Sequence, residues 1–210
     1  VNAKTNLTFA AGLRSILRQD PNVVFVGEIR DTETAGIAVN AALTGHLVLS
    51  TLHTNDAATA LPRLTDMKIE PFLVASTVNV IIAQRLIRKI CENCRVSFTM
   101  TEDDLGKNLP SEIIKKHYTP IGEKHEIRLY KGAGCKICHN TGYSGRVGLF
   151  EVLEVTQEIK KLIVQKVNSD IIAEQAQKES MTSMLDDGLD KVAKGITTIE
   201  EVLRVTKVQQ

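Results

Sequence analysis

A chain of 210 residues, 43% hydrophobic and 24% charged, has room for one globular domain with an appendage or for two small domains. Its net charge of +1 gives no bulk attraction for nucleic acid, and 4% aromatics with no tryptophan leave little for base stacking. The first residue is Val1, with no methionine and no signal-peptide pattern, so the chain is expected to be a fragment or a processed piece.

Residues 7–19 set Phe9, Leu13, Ile16 and Leu17 at helical spacing, with Arg14 and Arg18 sharing one face. Asp20-Pro21 ends that helix, because a residue before proline is driven out of the α region. The short apolar run Val23–Val26 predicts a strand buried on both faces. Asp31 or Thr32 then caps a helix reaching about Leu43, with Gly45 as its stop. The stretch HLVLST, from His46, predicts a second buried strand. Asn55-Asp56 opens another helix, in which Pro62 predicts a kink or a late start. Glu70-Pro71 opens a long buried helix expected to run to about Lys89, with Arg85 and Arg88 on one solvated face. Its apolar stretch is broken by Ser76, Thr77 and Asn79 and is too short for a membrane span. Residues 91–148 change character and hold all four cysteines, whereas from about Val155 the pattern is amphipathic helix. Thr198 with Glu201 reads as a capping box near the end.

Strand, helix, strand, helix is the order of a parallel α/β sheet, and ligands of such sheets sit beyond the carboxyl ends of the strands. That rule singles out Gly27-Glu28 and Ser50–His53. Glu28, one glycine past an apolar strand, stands where nucleotide hydrolases keep an acid that orders a magnesium-bound water or takes its proton. The alternative is a solvated loop acid in a surface ion pair. Gly27 permits a turn and close approach by a ligand, and Arg30 and Asp31 are free to pair with neighbours. His53 is suited either to bond a phosphate oxygen or to cap the next helix. His46, at the opposite edge, is expected to bond backbone or a neighbouring subunit. If the segment stays extended, His46 and His53 lie roughly 23 Å apart, and their odd spacing sends them to opposite faces. One ion cannot then touch both. No G-x-x-x-x-G-K-[ST] phosphate loop occurs in these residues.

The pairs Cys91-x-x-Cys94 and Cys135-x-x-Cys138 can form the two knuckles of a structural Zn2+ site, with no open coordination position. Two disulfides would need an oxidising compartment, and free thiols are the third possibility. His139 is adjacent and is not needed to complete four ligands.

Taken together, LRQDPNVVFVGEIRD resembles the atypical Walker B segment of the ATPases of type II secretion and type IV pilus assembly. TGHLVLSTLHTNDA resembles their histidine box, and the paired C-x-x-C resembles the metal-binding insert of the assembly branch. AQRLIRKIC and GYSGRVGLFEVL fit the same family in the same order, so the resemblance covers nearly the whole chain. It implies an α/β fold: part of a RecA-like P-loop NTPase core over residues 1–90, a tetracysteine metal-binding subdomain over 91–148 and a helical region over 149–210. Glu28 matches the catalytic Walker B glutamate, Asp20 the acid at the front of that motif and Arg18 the arginine preceding it. His46 and His53 match the box histidines, with His53 implied nearer the γ-phosphate. The implied parent is a cytoplasmic hexamer, peripheral at the inner membrane. It would use ATP and Mg2+ to drive pseudopilus or pilus assembly, and the insert would meet the membrane platform protein of the machine. Asn22 stands where the family often has aspartate. The Walker A loop, most of the aspartate box and the arginines contributed in trans are expected upstream, so these residues alone are not expected to hydrolyse ATP. The rival readings are a non-catalytic zinc-stapled interaction module and a nucleic-acid motor of related core.

Overall fold

In the computed structural model, residues 8–120 and 126–206 are described. They form an α/β chain that divides into two compact units, each visited twice. One unit comprises Val1–Ala83 and Val152–Met181, the other Gln84–Glu151 and Thr182–Gln210. Among the described residues no helix is long and apolar enough to cross a membrane.

The first unit opens with α1 (Phe9–Leu17), capped by Thr8, whose hydroxyl accepts the Ala11 N–H. The chain turns through Asp20, at φ +52°, into β1 (Val23–Val26). Asp31 caps α2 (Thr32–Leu43) by accepting the Thr34 N–H at 2.7 Å and the Thr34 hydroxyl at 3.0 Å. A cap of this kind is worth about 1 kcal/mol. Gly45, at φ +97°, reverses the chain after α2, a conformation that costs a side-chain-bearing residue and not glycine. β2 (Leu47–Ser50) then pairs parallel with β1 in the register Val23 to Leu47 and Val26 to Ser50. α3 (Ala60–Asp66) starts late, with Pro62 in its first turn, as the sequence predicts. α4 (Pro71–Thr77), and from the later passage α7 (Gln157–Val164) and α8 (Ser169–Lys178), complete the unit. Its core gathers Val24, Val26, Ala35, Leu61, Val74, Leu153, Ile159 and Ile172. Each fully buried branched side chain contributes roughly 1.5–3 kcal/mol relative to exposure.

Two expectations are corrected here. The β1–β2 sheet is covered on one face only: Val24 and Val26 are buried, while Val23 is 53% and Phe25 69% exposed, beside Leu47 and Leu49 at 55% and 48%. A continuous apolar run reports that a strand can be buried on both faces, not that both are covered. The long helix to Lys89 is likewise not formed. α4 stops at Thr77, and Val80–Ile90 is a strand, β3, paired with β6 (Tyr143–Glu154). Val80, Ile81, Ile82 and Ile87 are β-branched and favour a pleated surface, and a partner strand supplies the pairing that local periodicity does not show. In a strand, Arg85 and Arg88 point to opposite faces, not to one.

The second unit takes up β3 and runs through a 3-10 turn (Glu92–Cys94) into β4 (Arg95–Thr101). Two short helices follow, α5 (Glu102–Gly106) and α6 (Ser111–His117). β5 (Glu126–Gly132) returns antiparallel to β4, with Arg95 opposite Gly132 and Thr101 opposite Glu126. The unit closes with α9 (Met184–Ala193) and α10 (Ile199–Thr206). His117 ties α6 to α9, its Nε2 2.6 Å from Asp186 and its Nδ1 2.8 Å from Asp190. Thr198 caps α10, but its hydroxyl is 3.5 Å from the Glu201 N–H and the Glu201 carboxylate is engaged elsewhere, so the capping box is half made. That carboxylate is buried and accepts from Arg88 Nη2 at 2.6 Å, the Arg88 N–H at 3.0 Å and Arg204 Nη2 at 2.9 Å. Arg88 also stacks on Tyr143, 4.2 Å from the ring centre. Burial pushes the Glu201 carboxyl up, but the arginine donors outweigh it and hold it down at about 2.

A carboxyl lowered on folding stabilises the native state above its unfolded pKa, and this contribution is lost as pH falls through the folded value. Glu201→Gln is therefore expected to flatten the melting-temperature profile between about pH 4.5 and pH 2 relative to the unsubstituted protein. Glu201→Ala is expected to cost on the order of 3 kcal/mol at neutral pH, measured by urea denaturation.

Candidate functional site

Parallel pairing brings the carboxyl ends of β1 and β2 to one rim. The segments that leave them are stitched together: the Thr51 hydroxyl donates to the Gly27 carbonyl at 2.7 Å, and the Ile29 N–H donates to the Thr51 carbonyl at 3.0 Å. These two bonds set the Glu28 loop against the His53 loop. His53 Nε2 lies 3.0 Å from Glu28 Oε2, and Arg30 Nε reaches the same oxygen at 2.7 Å. Arg30, with His53 adding to it, holds the Glu28 carboxyl below the usual carboxylate range. Beside them is a depression of about 380 Å3 lined by Ile29, Arg30, His53, Arg63 and Met67. An open hollow with two guanidinium side chains and an imidazole suits an anionic group.

Arg63 is not marked by the sequence, and Thr51 is marked only as part of the Ser50–His53 segment beyond the second strand. Arg63 lies on α3, the helix that follows the His53 loop, and only the folded turn shows that it reaches the hollow. Thr51 carries a weak signal, a hydroxyl residue directly after a strand that ends at the rim.

The remaining nominated residues of this unit stand at the other end of the sheet. Arg18 caps the carboxyl end of α1 and Asp20 is exposed in the turn before β1. The four residues of β1 alone span roughly 13 Å, so neither shares the rim with Glu28. His46 lies just before β2, its Nδ1 3.0 Å from the Ala41 carbonyl and 3.1 Å from the Thr44 hydroxyl. It closes the end of α2, bonded to backbone. Because β2 ends at Ser50, the alternation argument for His46 and His53 does not extend to His53; the strand still separates them.

In the second unit the four cysteines converge. Their sulfurs all lie within 4.8 Å of one another, with Cys91 to Cys135 at 3.9 Å, Cys94 to Cys138 at 3.8 Å and Cys135 to Cys138 at 3.7 Å. These spacings are far above a disulfide bond, so no two of the four cysteines are disulfide-linked. Four sulfurs about 2.3 Å from one tetrahedral ion would be about 3.8 Å apart, so the cluster fits one such ion. Burial pushes the Cys94 thiol up to about 11. At Cys138 burial acts the same way but is outweighed by the Cys135 and Gly142 backbone and by neighbouring thiols, which bring it to about 6. The knuckles are drawn together by a close crossing of Gly132 and Gly142, where a Cβ on Gly132 would lie 2.0 Å from the Gly142 carbonyl oxygen.

The sequence and the fold are matched by known proteins. The family model for type II/IV secretion system proteins matches residues 1–204. The chain belongs to this family. Type II secretion system protein HxcR of Pseudomonas aeruginosa is 46% identical over 207 residues, which are 99% of this chain and 38% of that protein. Type II secretion system ATPase E of Vibrio cholerae is also 46% identical, over 99% of this chain and 39% of its own length. Type IV pilus assembly ATPase PilB of Thermus thermophilus is 47% identical over 98% of this chain and 22% of that protein. The secretion-family chain thus spans between about a fifth and two fifths of the length of these relatives. Among solved structures, the pilus retraction motor PilT with bound ADP superposes with a TM-score of 0.63 at 25% identity, over 96% of this chain and 44% of that one. The Legionella pneumophila ATPase DotB gives 0.60 at 22% identity, over 95% and 42%, a likeness of fold.

The stitching at the rim is testable without a ligand. Thr51→Val keeps the shape and removes the bond to the Gly27 carbonyl. It is expected to cost about 1 kcal/mol and to speed hydrogen exchange at the Ile29 amide more than at the Val26 amide, measured by NMR.

Proposed function

We propose that this chain is the carboxyl-terminal part of a hexameric ATPase that couples ATP hydrolysis to assembly of a type II secretion pseudopilus or a type IV pilus. The observation that carries the reading is the meeting of Glu28 and His53 on one rim. The similarity to the named secretion and pilus ATPases supplies the reaction. Glu28 orders the attacking water and takes its proton, and His53 donates to the terminal phosphate. Arg30 and Arg63 offer positive charge to the same anion, and Gly27 keeps the approach open. Arg18, Asp20 and His46 support the sheet from its amino end. Magnesium, when bound with ATP, would neutralise charge on the phosphates. Residues 1–90 carry the hydrolytic part, 91–148 a metal-braced subdomain, and 149–210 the end of β6 followed by packing helices.

The exposed apolar face formed by Val23, Phe25, Leu47 and Leu49 supports the RecA-like reading, in which further parallel strands and helices of the whole protein flank this pair. The ion in the cysteine cluster is zinc, which favours a tetrahedral thiolate shell and has a structural role there. The protein works in the cytoplasm at the inner membrane against a platform protein, with no nucleic acid partner.

In the full-length parent, Glu28→Gln is expected to lower steady-state phosphate release by at least about a hundredfold while leaving ATP binding intact. Unchanged hydrolysis would reject Glu28 as the base, whereas a parent that releases no phosphate at all would return the chain to the alternative of a zinc-stapled interaction module. The chain alone is expected to release no phosphate from ATP.

Metal analysis of the purified chain is expected to give one zinc per chain, lost in Cys138→Ser. A chelator is expected to raise hydrogen exchange across residues 91–148 and to leave β1 and β2 protected. Purified protein without zinc would reject the assignment.

A further inference from the structure

Glu28 is held in a way that a free catalytic base is not. Arg30 Nε and His53 Nε2 converge on the same carboxylate oxygen, Oε2, at 2.7 and 3.0 Å. The two donors also line the adjacent hollow with Arg63, whereas Glu28 is not among the residues that line it. Their heads are free to move, the Arg30 side chain being 69% and that of His53 80% exposed. The backbone beneath them is not, since Thr51 fixes Gly27 and Ile29. The side chains can therefore change partners without moving the loops.

We propose that Arg30 and His53 form a substrate-operated clamp on Glu28, released when a phosphate-bearing ligand enters the hollow and draws both donors from the carboxylate. This rests on the reading of Glu28 as the base. A terminal phosphate carries more charge than one carboxylate and presents several oxygens to a guanidinium fork, and Arg63 lines the same hollow. Exposed ion pairs of the Arg30–Glu28 kind contribute little, so modest contacts to phosphate suffice to exchange them. Losing two donors raises the proton affinity of Glu28 at the moment the attacking water needs an acceptor. Without phosphate, Oε2 stays occupied and the carboxylate is a poor base. Arg30 is thus a positioning residue for Glu28 as well as a contact for the anion.

The chain itself supplies the first test. With 13C-labelled glutamate carboxyls, and Glu28 assigned by its loss in Glu28→Gln, the Glu28 midpoint is followed in sodium chloride and in inorganic phosphate of equal ionic strength. Binding is followed separately through the side-chain 15Nε resonances of Arg30 and Arg63. The midpoint is expected to rise with phosphate, with proton affinity increasing about tenfold at saturation. Arg30→Gln is expected to produce a similar rise without phosphate and to remove most of the further response. Phosphate that shifts the arginine resonances but not Glu28 overturns the clamp, as does an Arg30→Gln midpoint equal to that of the unsubstituted chain or an absence of phosphate binding.

In the full-length parent, Arg30→Gln is expected to move the acid limb of the kcat/KM pH profile upward, and Arg30→Lys to restore it. An unmoved limb in Arg30→Gln also rejects the proposal. Persistent hydrolysis by the Glu28→Gln parent would instead reject the base assignment, so the two failures are read separately.

Discussion

Parallel pairing of β1 with β2 is the constraint on which the rest of the first unit depends. Val23 stands opposite Leu47 and Val26 opposite Ser50, so both strands finish at one edge. An antiparallel pair in the same place would put Glu28 and His53 at opposite edges. Because the strands are parallel, the crossover must be long enough to return the chain. The twelve residues of α2, closed at one end by Asp31 and at the other by Gly45 and His46, provide it. The two histidines of the box divide the work accordingly. His46 finishes the crossover with a bond to the Ala41 carbonyl, and His53 belongs to the rim.

The second unit meets a different problem. Its strands pair two by two and its α5 and α6 are a turn or two long, and it buries Ile87, Ile114, Ile127, Leu149 and Leu189 completely. It draws as well on groups that converge from far apart in sequence. Four cysteine sulfurs meet at the Arg95–Gly132 end of the β4–β5 pair, and the buried Glu201 gathers Arg88 and Arg204. Such polar convergence is directional, whereas apolar burial is not. A buried carboxylate with four donors specifies one arrangement of α10 against β3, because removing either arginine leaves charge poorly compensated in a place water does not reach.

Much of the rim was legible in the sequence because its signals are local. A glycine and an acid directly after an apolar run, Asp31 before a helix and two C-x-x-C pairs each state their geometry within a few residues. The strand β3 was not legible in the same way. Pro71 correctly announced a helix, but nothing within the following run marked its end at Thr77. The pairing that makes Val80–Ile90 a strand lies with β6, far along the chain. Arg63 was missed for a related reason, since its place at the hollow depends on how α3 leaves the His53 loop. The uncovered face of β1 and β2 could not be read at all. Val23, Phe25, Leu47 and Leu49 record an affinity for a covering layer, and a sequence pattern is the same whether or not that layer is present.

That exposure bears on the chemistry as well as the packing. The Glu28 side chain is 36% exposed and His53 largely so, which leaves the Glu28 charge well screened. Hydrogen-bond donors and carboxylates act most strongly on a reacting phosphate where water is excluded, since screening falls with the local dielectric. The rim described here therefore has the groups that phosphate chemistry uses, in an open setting that weakens each of them. A second surface closing over the hollow would strengthen the attraction of Arg30, Arg63 and His53 for phosphate. It would also make a Glu28 carboxylate stripped of its partners a better proton acceptor. Closure and release of Glu28 would then reinforce each other, because excluding water sharpens the competition between carboxylate and phosphate for the same two donors.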